Sequence, residues 1–273
     1  MKVVVAATAT FGAAVLEGLS AGHEVEFVLT RPDRAQGRGR RVGPPPAKEA
    51  AERLGIPVVQ PERLDEVPGT APVVVVCAYG VLIPVELLEE RLWLNVHPSL
   101  LPHWRGAAPV ERALMAGDRE TGVTIHRTTA ELDAGPIAAA RSFAIGPEDD
   151  AGAVYDQAAP LAVDLVDEVL AGWPDVEFRP QPDADVTYAE KIGSADRELD
   201  WSRSPEEIVN RVRALSPHIG ARGVVGGRVL TVWKARPAGP NAALVEDGVE
   251  LVEVQPEGRT RITGAEYLRG LRA

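Results

Sequence analysis

The chain has 273 residues, 45% hydrophobic and 25% charged, which suits one large domain plus a small one and excludes a chain disordered throughout. Its formal net charge of −11 excludes a protein that coats nucleic acid by bulk charge. The single cysteine, Cys77, excludes an internal disulfide and points to a reducing compartment.

The first half alternates apolar strands with helical patterns. Lys2–Ala7 is β-branched and apolar, and reads as a strand entering a fold rather than as a secretory signal. A helix is expected over Phe11–Leu19, a strand over Glu24–Leu29, a helix over Ala47–Leu54 and a short strand after Pro57. Pro72–Ala78 is a continuous valine run, the mark of a strand buried on both faces, with Cys77 inside it as an inert thiol. Leu92–Val96 is another strand. This β–α–β rhythm predicts a Rossmann-like, mostly parallel sheet with helices on both sides. Such sheets bind ligands at the carboxyl ends of their strands, here the loops after Ala7, Leu29, Ala78 and Val96.

A helix over Pro109–Met115, strands over Gly122–Arg127 and Ile137–Ile145 and a long helix over Asp150–Leu170 follow. A polar, proline-rich connector runs from Trp173 to Asp185. Ser204 with Glu207 three residues later has the form of a capping box and opens a helix to Leu215. Gly223–Ala235 and Ala243–Gln255 read as short strands of a small β-rich, OB-like barrel or sheet. The division is expected at residues 1–203 and 204–273. No apolar run approaches the roughly 20 residues that a membrane span needs, so a cytoplasmic protein is expected; a monomer is the separate expectation for its assembly.

The densest polar cluster in an apolar setting is Leu94–Pro102. Asn95 and His97 are two residues apart, so on extended backbone they point the same way from a strand end. A second polar cluster, Glu131–Pro136, contains Asp133 in a Gly/Pro turn. Together these residue types suit acyl transfer to an amine. Asn95 and a protonated His97 can donate to the oxygen that becomes negative in the tetrahedral intermediate, and Asp133 can hold the imidazole, raise its pKa or relay the amine proton. The same residues also suit plain turn formers. The histidines His23, His97, His103, His126 and His218 show no metal-ligand spacing, so no metal is expected. Trp201 and Trp233 read as packing residues, and Glu89-Glu90 and Asp149-Asp150 as solvated surface.

Asn95-Val96-His97-Pro98-Ser99-Leu100-Leu101-Pro102 resembles the signature of the folate-dependent formyltransferases, and the likeness continues through Trp104–Pro109, Gly117-Asp118, Thr121–Ile125 and Leu132–Gly135. The resemblance implies a formyltransferase fold and a catalytic trio of Asn95, His97 and Asp133. It implies 10-formyltetrahydrofolate as co-substrate, held largely by backbone groups. The segments concerned are Tyr79, Gly80, Val81, Leu82, Ile83 and Pro84; Ser99, Leu100, Leu101 and Pro102; and Thr128, Thr129, Ala130, Glu131 and Leu132. Arg105 suits either an anion, such as a phosphate or the folate glutamate tail, or a structural ion pair.

Residues 31–48 carry Arg31, Arg34, Arg38, Arg40, Arg41 and Lys48 against one acidic residue, Asp33. This basic loop is similar to the one that tRNA-modifying members insert at an acceptor end. So are Tyr188–Ile192, Asp200–Ser202 with Arg211–Leu215, and Gln255–Arg259 with Ala265–Leu268 to those members' linker and C-terminal domain. Initiator methionyl-tRNA is the acceptor this implies, with Arg34, Arg38, Arg40, Arg41 and Lys48 in contact with it; an amino-sugar nucleotide is the alternative. The chain departs from the pattern at Ala7-Thr8-Ala9-Thr10-Phe11, where a glycine and an acidic residue are missing, and in Ala-Gly-Pro-Ile after Asp133. It also departs in a shortened stretch around Pro237–Ala243.

Overall fold

A computed structural model describes residues 1–36 and 41–272. In chain order the elements are β1 (Lys2–Ala7), α1 (Thr10–Gly22), β2 (Glu24–Leu29), β3 (Arg34–Gln36), β4 (Arg41–Gly43), α2 (Pro46–Leu54), β5 (Val58–Val59), β6 (Val73–Cys77), α3 (Val85–Glu90), β7 (Leu92–His97) and β8 (Arg105–Gly106). Then come α4 (Pro109–Ala116), β9 (Glu120–Arg127), β10 (Ile137–Ala144), α5 (Ala151–Ala171), β11 (Tyr188–Ala189), α6 (Pro205–Leu215), β12 (Ala221–Val225), β13 (Arg228–Pro237), β14 (Val245–Glu246), β15 (Val249–Pro256), β16 (Ile262–Thr263) and α7 (Gly264–Arg272). The chain separates into two compact units, one of residues 1–107, 122–142 and 156–188, the other of 108–121, 143–155 and 189 onward.

The first unit is built on a sheet of order β10-β9-β7-β6-β1-β2-β5. β1, β2, β5, β6 and β7 pair in parallel, and β9 turns antiparallel to β7. Val3–Ala7 and Val73–Val75 are fully buried, as strands covered on both faces must be. Each such valine contributes about 1.5–3 kcal/mol of burial. At Gly12 a Cβ would collide with the carbonyl oxygen of Cys77, so α1 approaches the end of β6 only because position 12 has no side chain. Cys77 is buried, and burial alone pushes its thiol pKa far up, which leaves it inert. One helix of this unit was not expected: α3 buries Leu87 and Leu88 and receives the Trp93 indole N–H on the Leu87 carbonyl at 2.7 Å.

The second unit carries an antiparallel sheet of order β12-β13-β15-β14, with β16 on β15. The two expected strand runs are each split by a tight hairpin. Gly226-Gly227 and Asp247-Gly248 all have positive φ, as a two-residue primed turn requires. α6 opens with the expected capping box, Ser204 and Glu207 exchanging bonds to each other's N–H. Its face of Ile208, Val212 and Leu215 joins Leu230, Val232, Leu251 and Val254 in one core. A second Thr-x-x-Glu box, Thr263 with Glu266, starts α7. Asp150 is not merely solvated: its carboxylate accepts the Ala153 N–H at 2.9 Å at the head of α5. Asp149 accepts the Gly146 N–H at 2.7 Å. Among the described residues no helix is long and apolar enough to cross a membrane.

Candidate active site at the carboxyl end of the sheet

β7, an interior strand beside the central β6, ends at His97 at the carboxyl end of the sheet. The chain that follows it is held by buried hydroxyls. Thr124 on β9 donates to the Ser99 carbonyl at 2.7 Å and accepts the Leu101 N–H at 3.1 Å. The Ser99 hydroxyl donates to the His103 carbonyl at 2.6 Å. Both side chains are fully buried, so this stretch has one conformation to adopt. The backbone of Ala78, Trp104 and Asp133, three non-glycine residues in loops at this end, lies at φ of +48°, +61° and +47°. Each such residue costs on the order of 1–3 kcal/mol and persists only where its surroundings over-determine it.

Asn95, His97 and Asp133 come together around the Asp133 carboxylate. Asn95 Nδ2 donates to Asp133 Oδ1 at 3.0 Å. His97 Nδ1 lies 3.7 Å from Asp133 Oδ2, and the Gly106 backbone N–H donates to the same oxygen at 2.9 Å. His97 Nε2 is 2.8 Å from the Trp104 carbonyl, which can only accept, so Nε2 carries the proton. Nδ1 of the neutral ring is then a lone pair facing Asp133.

A fourth side chain belongs to the cluster that the sequence did not single out for this role. His126 on β9 is the register partner of Asn95 and is 1% exposed. Its Nδ1 is 3.0 Å from the Arg127 carbonyl, so Nδ1 donates and Nε2 accepts. Nε2 receives the second N–H of Asn95 at 3.0 Å and stands 3.6 Å from Asp133 Oδ1. Its only sequence signal was its place on a strand opposite Asn95, which requires the register to be known.

Burial dominates the electrostatics. It pushes the His97 pKa down, and the opposing Asp133 charge and Trp104 hydrogen bond do not restore it, so the resting imidazole is neutral rather than the cation the sequence pointed to. Burial also works to raise the Asp133 pKa. The close approach of the His126 ring, the neighbouring His97 and the Gly106 N–H outweigh it, and the carboxyl is held below its ordinary value as an anion.

Arg105 is buried and spends Nε and a terminal NH2 on the Gln181 side-chain oxygen at 3.0 and 2.7 Å. Of the two sequence readings of Arg105, these bonds favour a structural tie over an anion site. At Gly135 a Cβ would run into the Arg127 carbonyl oxygen, so the turn after Asp133 closes only on glycine.

The other singled-out segments lie as follows. Tyr79 is buried, and burial pushes its phenol up to about 12 against the opposing charge of Arg31. The Thr8 hydroxyl donates to the Tyr79 carbonyl at 2.8 Å, tying the altered first loop to that segment. Val81 and Leu82 are exposed, Gly80 has φ of +70°, and Ile83 and Pro84 are half-buried before α3. Leu101 and Pro102 are buried, and Leu100 is half-buried. Thr129, Ala130, Glu131 and Leu132 are exposed, and the Thr128 Oγ1 is buried without a hydrogen-bond partner. Arg34 is exposed on the short hairpin of β3 and β4, and Lys48 is paired to Asp33 at 2.8 Å. Arg38 and Arg40 lie outside the described residues, as does the side chain of Arg41. Among the described residues no group of three or more His, Cys, Asp and Glu side chains is arranged to hold a metal.

Two solved structures share this fold. WlaRD, a sugar 3N-formyl transferase solved in the presence of dTDP and 5-N-formyl-THF, matches with a TM-score of 0.69 at 17% identity, over 95% of this chain and 99% of its own. HypX from Aquifex aeolicus in complex with tetrahydrofolic acid matches with a TM-score of 0.67 at 19% identity over 98% of this chain. The chain spans about half the length of HypX, 46%. Sequence relatives are nearer. Methionyl-tRNA formyltransferase of Paracoccus denitrificans (strain Pd 1222) is 40% identical over 99% of this chain and 98% of its own length. The enzyme of the same name from Methylococcus capsulatus is 36% identical over 98% and 96%. Residues 1–170 match the family described as formyl transferase, and residues 191–272 match the formyl transferase C-terminal domain. A half-buried amide, a buried neutral imidazole and a half-buried carboxylate, gathered at the carboxyl end of a sheet, are thus the polar centre of a chain that belongs to the formyltransferase family.

Proposed function

We propose that this chain transfers a formyl group from 10-formyltetrahydrofolate to the amino group of initiator methionyl-tRNA. The observation that carries the chemistry is the convergence of Asn95, His97 and Gly106 on one carboxylate, Asp133. The acceptor is supported by relatives of that name at up to 40% identity over nearly the full length. The residues present suit a folate. Val81, Leu82 and Leu132 offer exposed apolar side chains to a flat ring, and the unpartnered Thr128 hydroxyl can meet a polar ring edge. The bound folate supplies the formyl group, and the rest falls to the chain.

The free amine attacks the formyl carbon. Asn95 turns one of its two N–H groups from Asp133 or His126 to the oxygen on which negative charge develops. His97 Nδ1, neutral and unprotonated, accepts the amine proton, and Asp133 opposite it stabilises the imidazolium. The proton returns to the departing nitrogen as the formyl group settles on the amine. Residues 1–203 hold this chemistry, and residues 204–273 belong to tRNA recognition. Arg34, Arg38, Arg40, Arg41 and Lys48 contact phosphates, Lys48 leaving Asp33 to do so. The chain acts as a cytoplasmic monomer.

Incubation with 10-formyltetrahydrofolate and charged initiator methionyl-tRNA should yield formyl-methionine, and the product should vanish in Asn95→Ala. A panel of amino-sugar nucleotides runs beside it, because sugar formyl transferases share the fold along their full length. Product on a sugar and none on tRNA overturns the acceptor assignment.

A further inference from the structure

We propose that Gln181, in the connector that reads as a spacer, is a positioning residue that holds the two loops of the active site in register. The role rests on the formyl transfer proposed above. Residues 171–190 lie between the two stretches that match the family. Yet the connector is docked there: the Arg179 N–H and carbonyl pair with those of Ile137 at 2.8 and 2.7 Å. Gln181 stands between Pro180 and Pro182, which restrict its backbone and aim its side chain.

Every polar atom of that side chain is used. Nε2 donates to the Asp133 carbonyl at 2.7 Å and to the Gly135 carbonyl at 2.8 Å. Oε1 accepts from Arg105 at 3.0 and 2.7 Å. The Arg105 N–H donates to the Thr187 carbonyl of the same connector at 2.9 Å. The residue after Arg105, Gly106, gives its own N–H to the Asp133 carboxylate. One amide therefore spans the loop that follows His97 and the turn that carries Asp133. Asp133 has φ of +47°, and both carbonyls that Gln181 holds belong to this turn. A side chain bonded to both flanks of this turn holds it in that conformation. The carboxylate is thereby kept within reach of His97 Nδ1 and Asn95 Nδ2, where about 1 Å of misplacement costs on the order of a hundredfold in rate.

Two substitutions separate the functions of the side chain. Gln181→Met keeps its length and removes all polar contact. Gln181→Glu keeps an oxygen for Arg105 and removes the donors to the turn. Turnover of charged initiator tRNA, KM for each substrate and melting temperature are measured for the full chain, for both variants, for Asp133→Asn, and for Gln181→Met combined with Asp133→Asn. The expected result is a fall in kcat of about tenfold to a hundredfold in both variants, with KM within about twofold. In the Asp133→Asn background the further loss should be under about twofold, since contacting residues that act as a unit do not add. If Gln181→Met does not fold, the Gln181→Glu variant decides alone. Turnover within twofold of wild type, a loss carried by KM, or an equal loss in both backgrounds overturns the proposal. A wild-type chain that forms no product overturns the functional reading and this role with it, whereas active wild type with unaffected variants overturns only the role of Gln181.

Discussion

The buried site of the first unit and the surface of the second treat their charges differently. In the first, His97, Ser99, Arg105, Thr124 and His126 are nearly or wholly buried beside Asp133, and their bonds reach between distant parts of the chain. In the second, many ion pairs lie at the surface, as Arg203 with Glu207 and Arg261 with Glu253 do, and its two Ser/Thr–Glu boxes are local. Exposed pairs of this kind contribute about 0–1 kcal/mol each. Buried polar groups cost much more when a partner is lost. The first unit thus accepts strain and desolvation to hold three chemical groups in place, and the second follows the ordinary rules of helix and hairpin formation.

The contrast is broken most severely at Asp133. Asp133→Ala leaves Asn95 Nδ2 and the Gly106 N–H without their shared acceptor and the imidazolium that forms at His97 without its counter-charge, and kcat should fall about 10²–10⁴-fold in the tRNA assay. Near-normal turnover would remove Asp133 from the mechanism. His126→Leu removes the acceptor for the second Asn95 N–H while keeping the strand apolar. Turnover should fall on the order of tenfold, with the expected change in kcat rather than KM. An unchanged kcat would make His126 a filler of space.

A pH profile sharpens the comparison. The His97 pKa lies below its ordinary 6.5, so the ring is neutral at pH 7 and gains a proton only as pH falls through that depressed value. The acid limb of kcat/KM should therefore lie below 6.5. Asp133 pulls the His97 pKa up, so Asp133→Asn should move the limb of the residual activity further down. Activity that instead falls as pH rises through the His97 pKa would mean that His97 works as the cation. The smallest effect belongs to the second unit: Ser204→Ala removes a helix cap and should cost about 1 kcal/mol in thermal unfolding without changing kcat. A drop in turnover there would tie the capped helix to catalysis.

Much of this molecule was legible because its signals are local. The valine run of β6, the strand of β7 and the Ser204–Glu207 box each carry their reason within a few residues. Helix α3 was not legible, since Val85–Glu90 is too short for a helical period to stand out. Helix α7 carries its signal in Thr263-x-x-Glu266, the same form as the box at Ser204. At the site, Asn95 and His97 could be paired from their spacing of two. His126, 31 residues from Asn95, and Gln181, 48 from Asp133, could not.

By itself the sequence determined most of the elements, the order in which they alternate and the residue types that suit formyl transfer, since period, turn chemistry and capping act over a turn or a strand. Only the tertiary structure decided that His97 is neutral, that β9 runs against β7 and brings His126 onto Asn95, and that Gln181 and Gly106 hold Asp133. Desolvation and hydrogen bonds between distant segments exist only once the chain has closed around them.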